Sequence, residues 1–169
     1  MPRILRPAAL RLLPAITLAL LAAPGCAADV EQPYDAQDPG AFEVGTGERA
    51  FSELAPDATV PITAGGQGGY HIWVSVRCGT CGPDLAITYG VEDADTGDPI
   101  TQPGLQTWAT LQEQDGWREI TGLTAFLSGF DASPYQGRRA LFFARAAADD
   151  GTPLEAAAEA TLSGIDDPL

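Results

Sequence analysis

From about residue 41 onward, apolar positions recur every second residue, in short runs separated by Gly, Pro and Asp. That is the pattern of strands with one face on a core and the other turned away from it. The clearest run is Tyr70 to Arg77, YHIWVSVR. Ile72, Val74 and Val76 alternate with His71, Trp73, Ser75 and Arg77, so the two sets point to opposite faces. The aliphatic set is expected in the core. Leu85, Ile87, Tyr89 and Val91 mark a second alternating strand, followed by a turn over Glu92 to Pro99 and a short return at Ile100-Thr101. Weaker strands are predicted over Ala41 to Val44, Phe51 to Leu54 and Thr59 to Thr63. Thr107 to Gln112 and Trp117 to Leu123 flank Glu113-Gln114-Asp115-Gly116, a hairpin-type turn. Thr124 to Phe130 keeps no clear period. Near the end, Arg138 to Ala147 is expected to pair, through Asp149-Asp150-Gly151, with Leu154 to Leu162. The stretch EAAAEATL has high helix propensity. Pro153 and the tight turn before it favour a strand instead. About seven short strands with frequent turns predict an all-β fold, a β-sandwich.

Two hairpins carry a family likeness: ITYGVEDADTGDPI and RRALFFARAAADDGTPLEAAAEATL. Paired strands around an Asp-rich, Gly-containing turn resemble bacterial immunoglobulin-like and fibronectin type III-like domains. The resemblance spans about residues 42–163 and implies an immunoglobulin-like β-sandwich over residues 42–169. The tryptophan and disulfide pattern of antibody domains is absent.

The first residues break the period. Arg3, Arg6 and Arg11 precede an apolar run from Leu12 to Ala23, and small residues follow. These are the three parts of a secretory signal peptide, here residues 1–25. The apolar run is shorter than the ~20 residues that span a bilayer. The segment Leu21-Ala22-Ala23-Pro24-Gly25-Cys26 resembles the lipobox of bacterial lipoproteins. That resemblance implies cleavage before Cys26, lipid attachment at Cys26 and a membrane anchor made of its acyl chains. Ala27, in place of an aspartate, implies outer-membrane sorting in that family. A secreted or periplasmic soluble form is the alternative. Residues 26–41 are polar, contain Pro33 and Pro39, and read as a flexible tether.

Charge narrows the partners. The whole chain carries −14, with 23 acids, 9 arginines and no lysine. Three of the arginines precede Cys26 and all the acids follow it, so a chain starting at Cys26 carries 6 − 23 = −17. Such a surface repels phosphates and makes nucleic acid a poor partner.

With Cys26 lipidated, Cys78 and Cys81 remain as an even pair in an exported chain. A local disulfide is favoured. A redox pair wants a helix N-terminus, and structural zinc wants four ligands. Both stay open. Asp93, Asp95 and Asp98 alternate around a Gly turn and are the candidate calcium ligands, although Thr96 and Gly104 stand where an EF-hand needs Asp or Asn and Glu. The bland alternative is a hairpin turn stabilised by local hydrogen bonds. His71, Trp73, Trp108 and Trp117 are the candidate binding face for an envelope protein or a glycan. No serine sits in Gly-x-Ser-x-Gly, and Gly65-Gly66-Gln67-Gly68-Gly69 lacks the Lys of a phosphate loop. The expectation is a cell-envelope lipoprotein with a non-enzymatic structural or binding role and no cofactor. The alternative is a calcium-binding protein or hydrolase using acidic loops.

Overall fold

A computed structural model describes residues 41–66 and 68–166. The expected signal peptide, Cys26 and the expected tether up to residue 40 lie outside the described residues. Ten strands follow in chain order: β1 (Phe42–Thr46), β2 (Ser52–Glu53), β3 (Thr59–Ala64), β4 (Tyr70–Cys78), β5 (Asp84–Asp93), β6 (Leu105–Thr110), β7 (Gln112–Gln114), β8 (Trp117–Phe126), β9 (Arg139–Ala147) and β10 (Pro153–Asp166). Among the described residues a single 3-10 turn, Ser133–Tyr135, interrupts them. β1, β2 and β3 match the three short strands expected before Tyr70, and β7 is the strand with no counterpart in the sequence reading.

Hydrogen bonding orders the strands as two layers joined at β3. One layer runs β2-β1-β4-β8-β7 and the other β3-β10-β9-β5-β6. β3 lies parallel to β10, yet its last residues pair antiparallel with the start of β4, through Thr63 and His71. Thus β1 and β3 share one edge of β4, and the chain changes layers between them. The layers meet face to face: β1 packs over β9 and β10, and the Tyr89 hydroxyl on β5 donates to the Thr124 carbonyl on β8 at 3.3 Å. The molecule is an all-β, immunoglobulin-like sandwich.

The core follows from the period. Ile72, Val74 and Val76 on β4, Leu85, Ile87 and Val91 on β5, and Ala140, Phe142 and Ala144 on β9 are all buried in one cluster. Each buried aliphatic or aromatic side chain contributes roughly 1.5–3 kcal/mol. EAAAEATL is strand, inside β10, and it pairs residue for residue with β9 from Pro153↔Ala147 to Thr161↔Arg139. Tertiary pairing overrides helix propensity here because the stretch hydrogen-bonds along β9 and its alternate residues Ala156, Ala158, Ala160 and Leu162 pack on the core.

Thr124 to Phe130, which has no clear period in the sequence, is divided: β8 runs on to Phe126 and the rest lies beyond it. One expectation changes. The hairpin expected between Thr107–Gln112 and Trp117–Leu123 shrinks to β7 and β8, with Asp115 (φ 49°) and Gly116 (φ 77°) as its two-residue turn. β6 pairs with β5 instead. Leu111 is the crossing point between layers; its side chain is buried and its amide donates to the Pro83 carbonyl at 2.7 Å.

Candidate functional site

The outer face of the second layer is built by alternation on three strands. Where Leu85 and Ile87 of β5 point inward, Asp84, Ala86 and Thr88 point outward. On β6, Gln106, Trp108 and Thr110 are exposed. On β9, Phe143, Arg145 and Ala147 take the outer positions. Register then makes neighbours: Ala86 stands opposite Trp108, and Thr88 stands between Gln106 and Arg145. The small Ala86 leaves space beside the indole. The result is an open groove of about 520 Å³ along Asp84, Ala86, Trp108, Arg145 and Asp149. It adjoins a hollow of about 280 Å³ along Thr88, Gln106 and Trp108. Trp108 is 74% exposed. β6 ends its layer, with no strand on its far side among the described residues.

Contacts within the face hold its polar groups in place. Gln106 Nε2 donates to Thr88 Oγ1 at 3.2 Å, and Thr110 Oγ1 donates to Asp84 Oδ1 at 2.7 Å. The Arg145 guanidinium lies 5.1 Å from the Phe143 ring centroid, a cation–π distance. Phe143 in turn lies over Gly90, where a Cβ would come within 2.9 Å of the ring. Arg145 and Phe143 escaped the sequence reading. Their outward positions in the alternating run RRALFFARAA were the available signal.

The other proposed face residues lie elsewhere. His71 and Trp73 occupy the outer face of β4, in the first layer, with ring centroids 4.3 Å apart and edge to face. His71 is only 8% exposed, and its Nε2 has no hydrogen-bond partner. Burial lowers its pKa, opposed by the Glu48 charge. Trp117 begins β8 and is half-buried. Arg77 reaches between Trp117 and Phe51, 4.3 and 4.2 Å from the two rings, and forms an ion pair with Glu43 at 2.6 Å. Glu119 beside it is buried, which raises its pKa against the pull of Arg77.

The expectation of one aromatic face is therefore corrected: Trp108 is separated from His71, Trp73 and Trp117 by the sandwich. The physical cause is strand pairing, β6 with β5 in one layer and β8 with β4 in the other, and the segment after β1 in addition covers part of the outer face of β4. Thr46 Oγ1 donates to the Trp73 carbonyl at 2.7 Å, and Ser75 Oγ donates to the Gly47 carbonyl at 2.9 Å. That segment lies on the outer face of β4, so Ser75 is wholly buried although it points away from the core.

The acidic turn is occupied by its own hydrogen bonds. Asp93 Oδ1 accepts from the amides of Asp95 and Thr96, and Asp93 Oδ2 pairs with Arg138 at 2.7 Å. These contacts, the Arg138 bond foremost, pull the Asp93 pKa down. Asp95 pairs with Arg139, and Asp98 accepts from Thr96. Among the described residues no three His, Cys, Asp or Glu side chains converge as a metal site. Cys78 and Cys81 are joined as a disulfide with Cα atoms 5.7 Å apart, closing the turn between β4 and β5. A second exposed aromatic region lies at the opposite end of β4. Phe130 (92% exposed) and Phe126 line a hollow of about 200 Å³ with Tyr70 and the Gly68-Gly69 loop.

Fold and site together define an immunoglobulin-like β-sandwich with one open tryptophan groove on an outer sheet face. No protein-family model matches the chain, and no curated protein matches it. Among solved structures, it is similar to the CooA pilin subunit from enterotoxigenic Escherichia coli, at 12% identity and a TM-score of 0.35, covering 73% of this chain and 98% of that one. At that TM-score the likeness carries no argument about function.

Proposed function

We propose that this chain is a cell-envelope lipoprotein with a non-enzymatic binding role, held to the membrane by acyl chains on Cys26 and engaging its ligand through the outer face of β5, β6 and β9. The exposure of Trp108 carries the reading. A tryptophan left open on a sheet face costs solubility without adding to the core, and aromatic residues recur where binding energy is concentrated. The signal-like N-terminus and the likeness of Cys26 to a lipobox residue support the anchor. The chain enters the sandwich at the disulfide end, where the Gly79 amide donates to the Ala41 carbonyl at 2.9 Å.

The test has two parts. Mass spectrometry of the mature N-terminus is expected to show an acylated Cys26. A photo-crosslinking amino acid placed at position 108 in intact cells is expected to capture an envelope component. A soluble, unacylated protein giving no adduct at position 108 would overturn the proposal.

A further inference from the structure

We infer that the Trp108 groove binds a neutral saccharide; this rests on the binding role proposed above and names its ligand class. The first argument is the pairing of one aromatic surface with a mixed polar rim. A pyranose ring has a face of C–H groups that packs on an indole and an equator of hydroxyls, each both donor and acceptor. Trp108 supplies the flat apolar surface. Arg145 and Gln106 supply donors, while Asp84 and Asp149 supply acceptors, all around the same floor of Ala86 and Thr88. Only a ligand that gives and takes hydrogen bonds satisfies both kinds of group.

Charge removes anionic competitors: an anionic ligand meets Asp84 and Asp149 in the groove and an excess of acids over the whole chain. A basic peptide is drawn by those carboxylates and repelled only by Arg145, so it is the competitor that the experiment must separate from a neutral polyol. Size points the same way. The groove, at about 520 Å³, falls in the ~300–1,000 Å³ range of small-ligand sites. A stable protein interface needs about 800 Å² on each partner with several apolar anchors, and this face offers one large one.

Arg145 adds an independent observation. Arg49, Arg77, Arg118, Arg138 and Arg139 each form an ion pair with a carboxylate. Among the described residues, Arg145 is the one arginine with no carboxylate within 4.0 Å. In so acidic a chain an arginine without a partner is unusual. Arg145 is exposed, its guanidinium lies 5.1 Å from the Phe143 ring centroid, and its forked N–H donors match two vicinal hydroxyls. Stacking also limits the rotamer freedom lost on binding.

The experiment titrates the mature protein with neutral β- and α-linked gluco-, manno-, galacto- and N-acetylglucosamine oligosaccharides, followed by calorimetry and tryptophan emission. Galacturonate oligomers and an arginine-rich peptide are the charged controls. At least one neutral series is expected to bind at millimolar affinity or better and to shift the emission. Trp108→Ala should weaken that binding at least tenfold, and Trp108→Tyr should restore part of it. Arg145→Gln should weaken it severalfold without altering the far-ultraviolet circular dichroism. Absence of binding by every neutral series overturns the inference, as does binding unchanged in Trp108→Ala or stronger binding of either charged control. A protein adduct at position 108 in cells, with no saccharide binding, would retain the binding role and discard the saccharide.

Discussion

His71 and Trp108 show how differently two outward-pointing ring side chains are treated. Both alternate with core aliphatics, so the sequence places both away from the core. His71 is then enclosed by Trp73, Phe126 and the Gly65 side of the neighbouring loop, whereas Trp108 is left open. Alternation reports direction and says nothing about what covers a face. The enclosure has a consequence for pH. Burial lowers the His71 pKa below its ordinary value, about 6.5. As pH falls through that value, the unfolded chain takes up a proton that the folded chain refuses. Stability is therefore full above about pH 6.5 and declines as pH drops towards the lowered folded value. Urea midpoints measured from pH 8 to pH 5 should fall in the wild type, and the fall should be smaller in His71→Phe. An identical pH dependence in the two proteins would show that the imidazole is solvated. The Nε2 left without a hydrogen bond disappears in the same variant, so His71→Phe should be no less stable than wild type at pH 5.

Among the elements, the strands that form the core were the most legible. β4, β5 and β9 follow the period-two runs closely, because burial on one face forces strict alternation. β6 was legible as a strand but not by its partner. Chain proximity pointed to a hairpin with β8, while the buried Leu111 carries the chain into the other layer. β8 holds a second feature hidden from the sequence, a bulge opposite Ser75. Gly122 sits there at φ +70° with its amide donating to the Gly47 carbonyl at 3.0 Å. A Cβ at this glycine would lie 2.6 Å from the Glu48 carbonyl oxygen. Gly122→Ala should therefore both strain the backbone and lift the segment that covers β4. The expected loss is about 1–3 kcal/mol in chemical denaturation, together with faster amide exchange at Ser75 and its neighbours. A loss below about 0.5 kcal/mol would mean that this segment does not depend on the bulge.

At the scale of the whole molecule, charge and shape act separately. The acids outnumber the arginines after Cys26 by 23 to 6, and self-repulsion of that kind destabilises the compact state. The exposed ion pairs that oppose it, such as Arg139 with Asp95 and Glu159, each contribute little. Raising salt from about 0.01 M to about 1 M shortens the screening length from about 30 Å to about 3 Å. The thermal midpoint in sodium chloride is thus expected to rise over that range, and a fall would show that ion pairing outweighs repulsion. The sequence by itself determined the all-β class, the core residues of the main strands, the closely spaced cysteine pair and the acidic surface. These rest on local alternation, short spacing and composition, which do not depend on distant segments. Only the tertiary structure decided which outward faces reach solvent. It put Trp108 in one layer and Trp73 and Trp117 in the other, laid the segment after β1 across β4, and brought Arg145 and Asp149 to the same groove as Trp108. Those outcomes depend on strand order and on segments folding over distant faces, and neither is encoded in the spacing of residues along one strand.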